Sequence, residues 1–141
     1  MEPYMAEFQA IQGSQGFFAG DAETVQAFYR VLCRRYCYDP AKADLMNWGL
    51  TPMAFLNGLK IQEIFDAWML KQQYDLSELL GRLEVPTLII HGDVDPVPLA
   101  TARELHEKIK GSQFVVLEHC GHFPHVEVPE VFFEHLEEFL K

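Results

Sequence analysis

Pro86-Thr87-Leu88-Ile89-Ile90-His91-Gly92-Asp93-Val94-Asp95-Pro96 is the stretch that decides the fold of this chain. It is a short apolar run, rich in β-branched residues, that begins at a proline and breaks at a glycine followed by two aspartates. Such a run predicts a strand buried on both faces, as in a parallel sheet. Gly92 to Pro96 predicts a loop at its carboxyl end. Downstream, Leu99 to Lys110 reads as a helix and Gln113 to Glu118 as a second strand. A loop follows from His119 to Val128. The last helix runs from Pro129, which suits a first helical turn, to Leu140. Two apolar strands joined by a helix of this length predict a right-handed βαβ unit.

Upstream of Pro86 the composition changes. Residues 1–85 are rich in aromatics and helical in character, with no convincing strand. Val25, Phe28, Tyr29 and Leu32 follow the helical period and predict a helix from Glu23 to Tyr36. Asp21 or Ala22 starts it, and Asp39-Pro40 follows as a stop. Thr51 and Pro52 suit the N-cap and first position of a second helix reaching Gln72. Phe55, Leu59, Phe65 and Trp68 line part of its apolar face. A short helix is expected from Leu76 to Leu83, and a glycine-rich turn from Gly13 to Gly20.

The chain has 141 residues, 49% hydrophobic and 23% charged, with a formal net charge of −10. A domain of that size can bury a sizeable core. The acidic balance argues against nucleic acid and against a membrane surface as partners, since both call for a basic footprint. It reads as a solubility feature, with a cationic substrate as the alternative. Three cysteines, Cys33, Cys37 and Cys120, show no framework spacing and point to reduced thiols and a cytoplasmic setting. Cys33 and Cys37 stand four apart and are read as packing on one helix face. No leader pattern opens the chain, and no apolar run approaches the ~20 residues of a membrane span.

Ligands of open α/β sheets gather at the carboxyl ends of the strands. Two loops belong there. One holds Asp95, three residues beyond Gly92, with Asp93 as a competitor; the other holds Gly121-His122. Neighbouring strands lie about 4.8 Å apart, so side chains on these loops can meet. A carboxylate that accepts a hydrogen bond from histidine fixes the ring's tautomer and stabilises the imidazolium, which makes the pair a general base for a hydroxyl nucleophile. Taken singly, each is as easily a turn residue; together, in this strand context, they read as functional. His119, His122 and His125 could instead suggest zinc, but glycine and proline break any helical spacing, and no metal or other cofactor is assigned. Trp48 and Trp68 read as core aromatics that could also line a pocket. Glu63 and Asp66 read as a solvated helix face.

These residues resemble a known family. Val85 to Pro98 looks like the segment that follows the cap in α/β-hydrolases, where the acid is the aspartate three residues after the glycine, here Asp95. Gly121-His122-Phe123-Pro124-His125-Val126-Glu127-Val128-Pro129-Glu130 looks like that family's histidine loop, with His122 as the triad histidine. The order also fits, because in this fold the serine precedes the acid and the acid precedes the histidine. The resemblance covers residues 75–141 closely. Tyr74-Asp75-Leu76 and the helical segment before it make proline iminopeptidases and related cap-bearing hydrolases the nearest likeness. It implies an incomplete α/β-hydrolase: residues 1–74 as a helical cap (lid), and residues 75–141 as the C-terminal β-α-β-α part of the core.

The chain departs from the family in its nucleophile. The serine should sit in Gly-x-Ser-x-Gly between a strand and a helix, and Ser14, Ser77 and Ser112 do not. Ser14 comes nearest, with Gly16 after it but Gln12 before it. The oxyanion loop is also missing. Pro96 stands where some aminopeptidase members carry an acidic residue that holds the substrate's amine. The resemblance therefore implies a part of a serine hydrolase for a small ester, amide or short peptide, carrying Asp95 and His122 but inactive alone. A non-catalytic binding or assembly element and one half of a split hydrolase are the alternatives. Two strands make a poor sheet with open edges, so a homodimer or a swapped oligomer is expected.

Overall fold

The computed structural model describes residues 4–47, 49–72 and 75–141. Trp48 and Tyr74, named above, lie outside them. The chain divides into two units: Met1–Arg34 with Met46–Tyr74, and Arg35–Leu45 with Asp75–Lys141. Residues 35–45, which the sequence grouped with the N-terminal part, thus pack with the C-terminal one.

In the first unit, α1 (Met5–Gln12), α2 (Gln15–Ala19) and α3 (Ala22–Arg34) follow one another through tight caps, and α4 (Pro52–Gln72) comes after residues 35–51. The expected turn at Gly13–Gly20 contains α2. The Ser14 hydroxyl accepts from the Phe17 amide at 3.2 Å and donates to the Ile11 carbonyl at 2.7 Å. Gly20, at φ 69°, ends the helix in the left-handed region that glycine enters without steric cost. The Asp21 carboxylate then accepts from the Thr24 amide and hydroxyl at 2.9 and 2.8 Å and starts α3. α3 stops at Arg34, two residues short of the expected Tyr36. Cys37 therefore lies outside the helix, and the shared face proposed for Cys33 and Cys37 does not form. Thr51 caps α4 by accepting from the Ala54 amide. Phe17, Val25 and Phe55 form the core, flanked by Phe28, Tyr29, Leu50 and Leu56. Of the apolar residues assigned to the α4 face, only Phe55 is buried; Leu59, Phe65 and Trp68 are exposed.

In the second unit, β1 (Leu88–Gly92), α5 (Leu99–Lys108), β2 (Gln113–Leu117), α6 (Pro124–Glu127) and α7 (Pro129–Phe139) follow in order. The strands pair in parallel from Leu88↔Gln113 to Gly92↔Leu117. β1 is partly buried at Leu88, Ile89 and Ile90 and buried at His91 and Gly92. Two-faced burial fails along its first part because the sheet has only two strands among the described residues. Ala102, Ile109, Leu117 and Cys120 are buried in this unit. The expected helix at 76–83 is a 3-10 turn at Leu80–Arg82. Asp75 accepts from the Ser77 amide, and the bonds from Leu79, Arg82 and Leu83 reach back three residues, the tighter pattern of short connectors. The expected loop at 119–128 contains the single turn of α6, with Pro124 in its first position. Among the described residues no helix is long and apolar enough to cross a membrane.

Candidate active site

The ends of β1 and β2 are stapled together. The Asp93 amide donates to the Leu117 carbonyl at 2.9 Å and the Val94 amide to the Cys120 carbonyl at 3.1 Å. In return the Asp93 carboxylate accepts from the Cys120 amide at 3.1 Å. That bond holds the Asp93 carboxyl below the usual carboxylate range. Its stabilising contribution is therefore present above the ordinary aspartate value and is lost as pH falls through the depressed one. His119, at φ 53°, turns the backbone so that this amide can meet it.

With Asp93 engaged in the staple, the neighbouring turn presents Asp95. Its Oδ1 accepts from the Val97 amide at 2.8 Å, and its Oδ2 lies 2.8 Å from Nδ1 of His122. The carboxylate side chain is 6% exposed and the imidazole 44% exposed. Asp95 and His122 are thus brought together, and Asp93 is not part of the pair. An ionised carboxylate only accepts, so Nδ1 carries the proton and the neutral ring keeps its lone pair on Nε2. A half-exposed imidazole with that tautomer, held by a buried acid, can take a proton from a hydroxyl at Nε2. His119 and His125 point elsewhere: one ring lies 5.1 Å from Tyr38, the other 6.2 Å from Phe132. Among the described residues no three such side chains are grouped to hold a metal.

Three neighbours of the pair were not singled out from the sequence. The Tyr36 carbonyl accepts from the His122 amide at 2.7 Å, and the Tyr36 ring meets the imidazole edge-on at 5.6 Å. His91 is buried; its Nδ1 lies 2.7 Å from the Gly92 carbonyl, and its Nε2 is 3.9 Å from Asp95 Oδ2 without a hydrogen-bond partner. Glu127 is buried at 7% exposure, and its carboxylate accepts from the amides of Tyr38, Gly121 and Phe123. Glu127 left one trace in the sequence, a carboxylate between two valines; Tyr36 left none. Ser14 is a helix cap, Ser77 binds Asp75, and Ser112 bonds His106, so each serine has a local task.

No family model matches the chain. It is 35% identical over 69 residues to a proline iminopeptidase of Saccharolobus solfataricus, a span that is 49% of this chain and 22% of that protein. It is 34% identical over 90 residues to a pimeloyl-acyl-carrier-protein methyl ester esterase of Neisseria meningitidis serogroup B, 63% of this chain and 31% of that protein. The 2-hydroxy-6-oxo-6-phenylhexa-2,4-dienoate hydrolase of Rhodococcus sp. strain RHA1 superposes with a TM-score of 0.60 at 24% identity, over 98% of this chain and 49% of that one. Fold and sequence likeness together define the class: the chain has part of the α/β-hydrolase fold. Within that class its likeness runs to proline iminopeptidase-type hydrolases and to the methyl ester esterase, and it spans less than a third of the length of either relative.

Proposed function

We propose that this chain provides the acid and the base of a serine-type hydrolase, Asp95 and His122, and draws its nucleophile from outside its 141 residues. The observation that carries this reading is the 2.8 Å contact between the shielded Asp95 carboxylate and half-exposed His122. In the proposed chemistry Nε2 of His122 takes the proton of a serine hydroxyl as it attacks an acyl carbon, and Asp95 stabilises the imidazolium. No cofactor enters. The substrate is a small ester, amide or short peptide, in keeping with relatives named for both peptide and ester cleavage. Pro96 supplies no carboxylate for an amine, which favours esters and amides without a free amino terminus. Residues 1–74, less the 35–45 segment that packs with the C-terminal part, would be the cap segment of that hydrolase.

The test has two arms. A fluorophosphonate probe should leave the isolated chain unlabelled; covalent labelling would show that a nucleophile is present after all. When the serine half is supplied in cis or in trans, hydrolysis of p-nitrophenyl esters should appear. His122→Ala should then lower kcat roughly 10⁶-fold and Asp95→Asn about 10⁴-fold. Full activity in either variant would sink the assignment.

Self-association belongs to the same proposal. Ile61, Ile64, Phe65 and Trp68 recur at helical spacing on α4 and are all exposed. A second copy of the chain, offering the same stripe, is the occupant we propose.

A further inference from the structure

Glu127 lies outside the proton path, yet its surroundings are unusual for a carboxylate. It is buried, and it accepts from three backbone amides. Oε1 takes the amides of Gly121 at 3.0 Å and Phe123 at 3.2 Å, the residues on either side of His122. Oε2 takes the Tyr38 amide at 2.6 Å. The segment carrying Tyr38 also carries Tyr36, whose carbonyl accepts from His122's own amide at 2.7 Å. Three successive amides, at 121, 122 and 123, are thus fixed by Glu127 and by the segment that Glu127 also holds. Burying a carboxylate is costly unless charge-assisted bonds offset it, and here two of those bonds go to the histidine loop and the third to the segment that braces it.

We infer that Glu127 is a positioning residue for His122, holding the loop in the one conformation that delivers Nδ1 to Asp95. The inference rests on the acid–base reading of that pair. A carboxamide of the same shape cannot replace it. Glutamine has a single acceptor oxygen, whereas Glu127 uses both of its oxygens, so one amide would face an NH2 group.

The experiment is long-range ¹H–¹⁵N NMR of the full chain with labelled histidine, which reports which ring nitrogen of His122 carries the proton. The wild-type ring should be dominated by the Nδ1–H form. Asp95→Ala and Glu127→Gln should both lose that dominance to the Nε2–H form, and Glu127→Asp should restore part of it. If Asp95→Ala changes nothing, the acid–base reading falls, and the inference with it. If Asp95→Ala shifts the tautomer while a folded Glu127→Gln keeps the wild-type ratio, the positioning role alone is overturned. Amide hydrogen exchange on the wild-type chain needs no variant. Gly121, Phe123 and Tyr38 should be protected together; free exchange at Gly121 and Phe123 would overturn the proposal even if Glu127→Gln does not fold.

Discussion

Gly92 and Gly121 are glycines because backbone already stands where a Cβ would go. A Cβ on Gly92 would overlap the carbonyl oxygens of Cys120 and Gly121, and one on Gly121 would overlap the carbonyl of Tyr36. Those oxygens are backbone and cannot swing aside. Gly92→Ala should therefore cost at least about 1–3 kcal/mol, measured by urea denaturation; an unchanged midpoint would contradict the close approach of the two loops. The buried thiols give a second check. Burial pushes Cys120 up to about 12 and Cys33 up to about 11. A raised folded value means the contribution to stability is whole below the ordinary thiol value and is lost as pH climbs towards 11 and 12. At pH 8 iodoacetamide should modify half-buried Cys37 first, with Cys33 and Cys120 reacting only as fast as the chain opens. Mass spectrometry of timed samples reads the order. Asp95 and His122 were legible because a turn chemistry and a strand end mark each of them. The Tyr38–Glu127 bond spans 89 residues, and nothing local announces a partner that far away.

At the scale of elements, long periodic segments were the readable ones. α3, α4, α5 and α7 all lie within two residues of the spans expected for them. α2 and α6, of five and four residues, escape because a single turn has no period to detect. The caps are local chemistry and can be tested locally. Thr51→Ala removes the acceptor for the Ala54 amide and should lower stability by about 1 kcal/mol. Thr51→Ser should keep most of it, and equal losses in thermal melts of both variants would assign the effect to something other than the cap.

At the scale of the whole molecule, the exposed apolar surface is the feature without a local explanation. Met53, Ile61, Ile64 and Leu70 of α4 are all more than half exposed, and β1 and β2 form a two-stranded sheet among the described residues. Such surfaces mark interaction sites on folded proteins. Light scattering over a concentration series should show a dimer or larger assembly, and Ile64→Lys with Phe65→Glu should shift it to monomer. A wild-type chain that stays monomeric at high concentration would remove self-association from the proposal.

The sequence by itself determined the βαβα order, the parallel pairing implied by two apolar strands with a helix between them, and the two residues offered at the strand ends. These follow from periodicity, turn residues and spacing, all of which act within a few residues. Only the tertiary structure gave Asp93 a task of its own, stapling it to Cys120 while Asp95 turns to His122. Only it brought residues 35–45 against the histidine loop and gave Glu127 its three amides. Those outcomes depend on which distant backbone groups are left needing a partner once the chain has folded, and that is a property of the packed molecule.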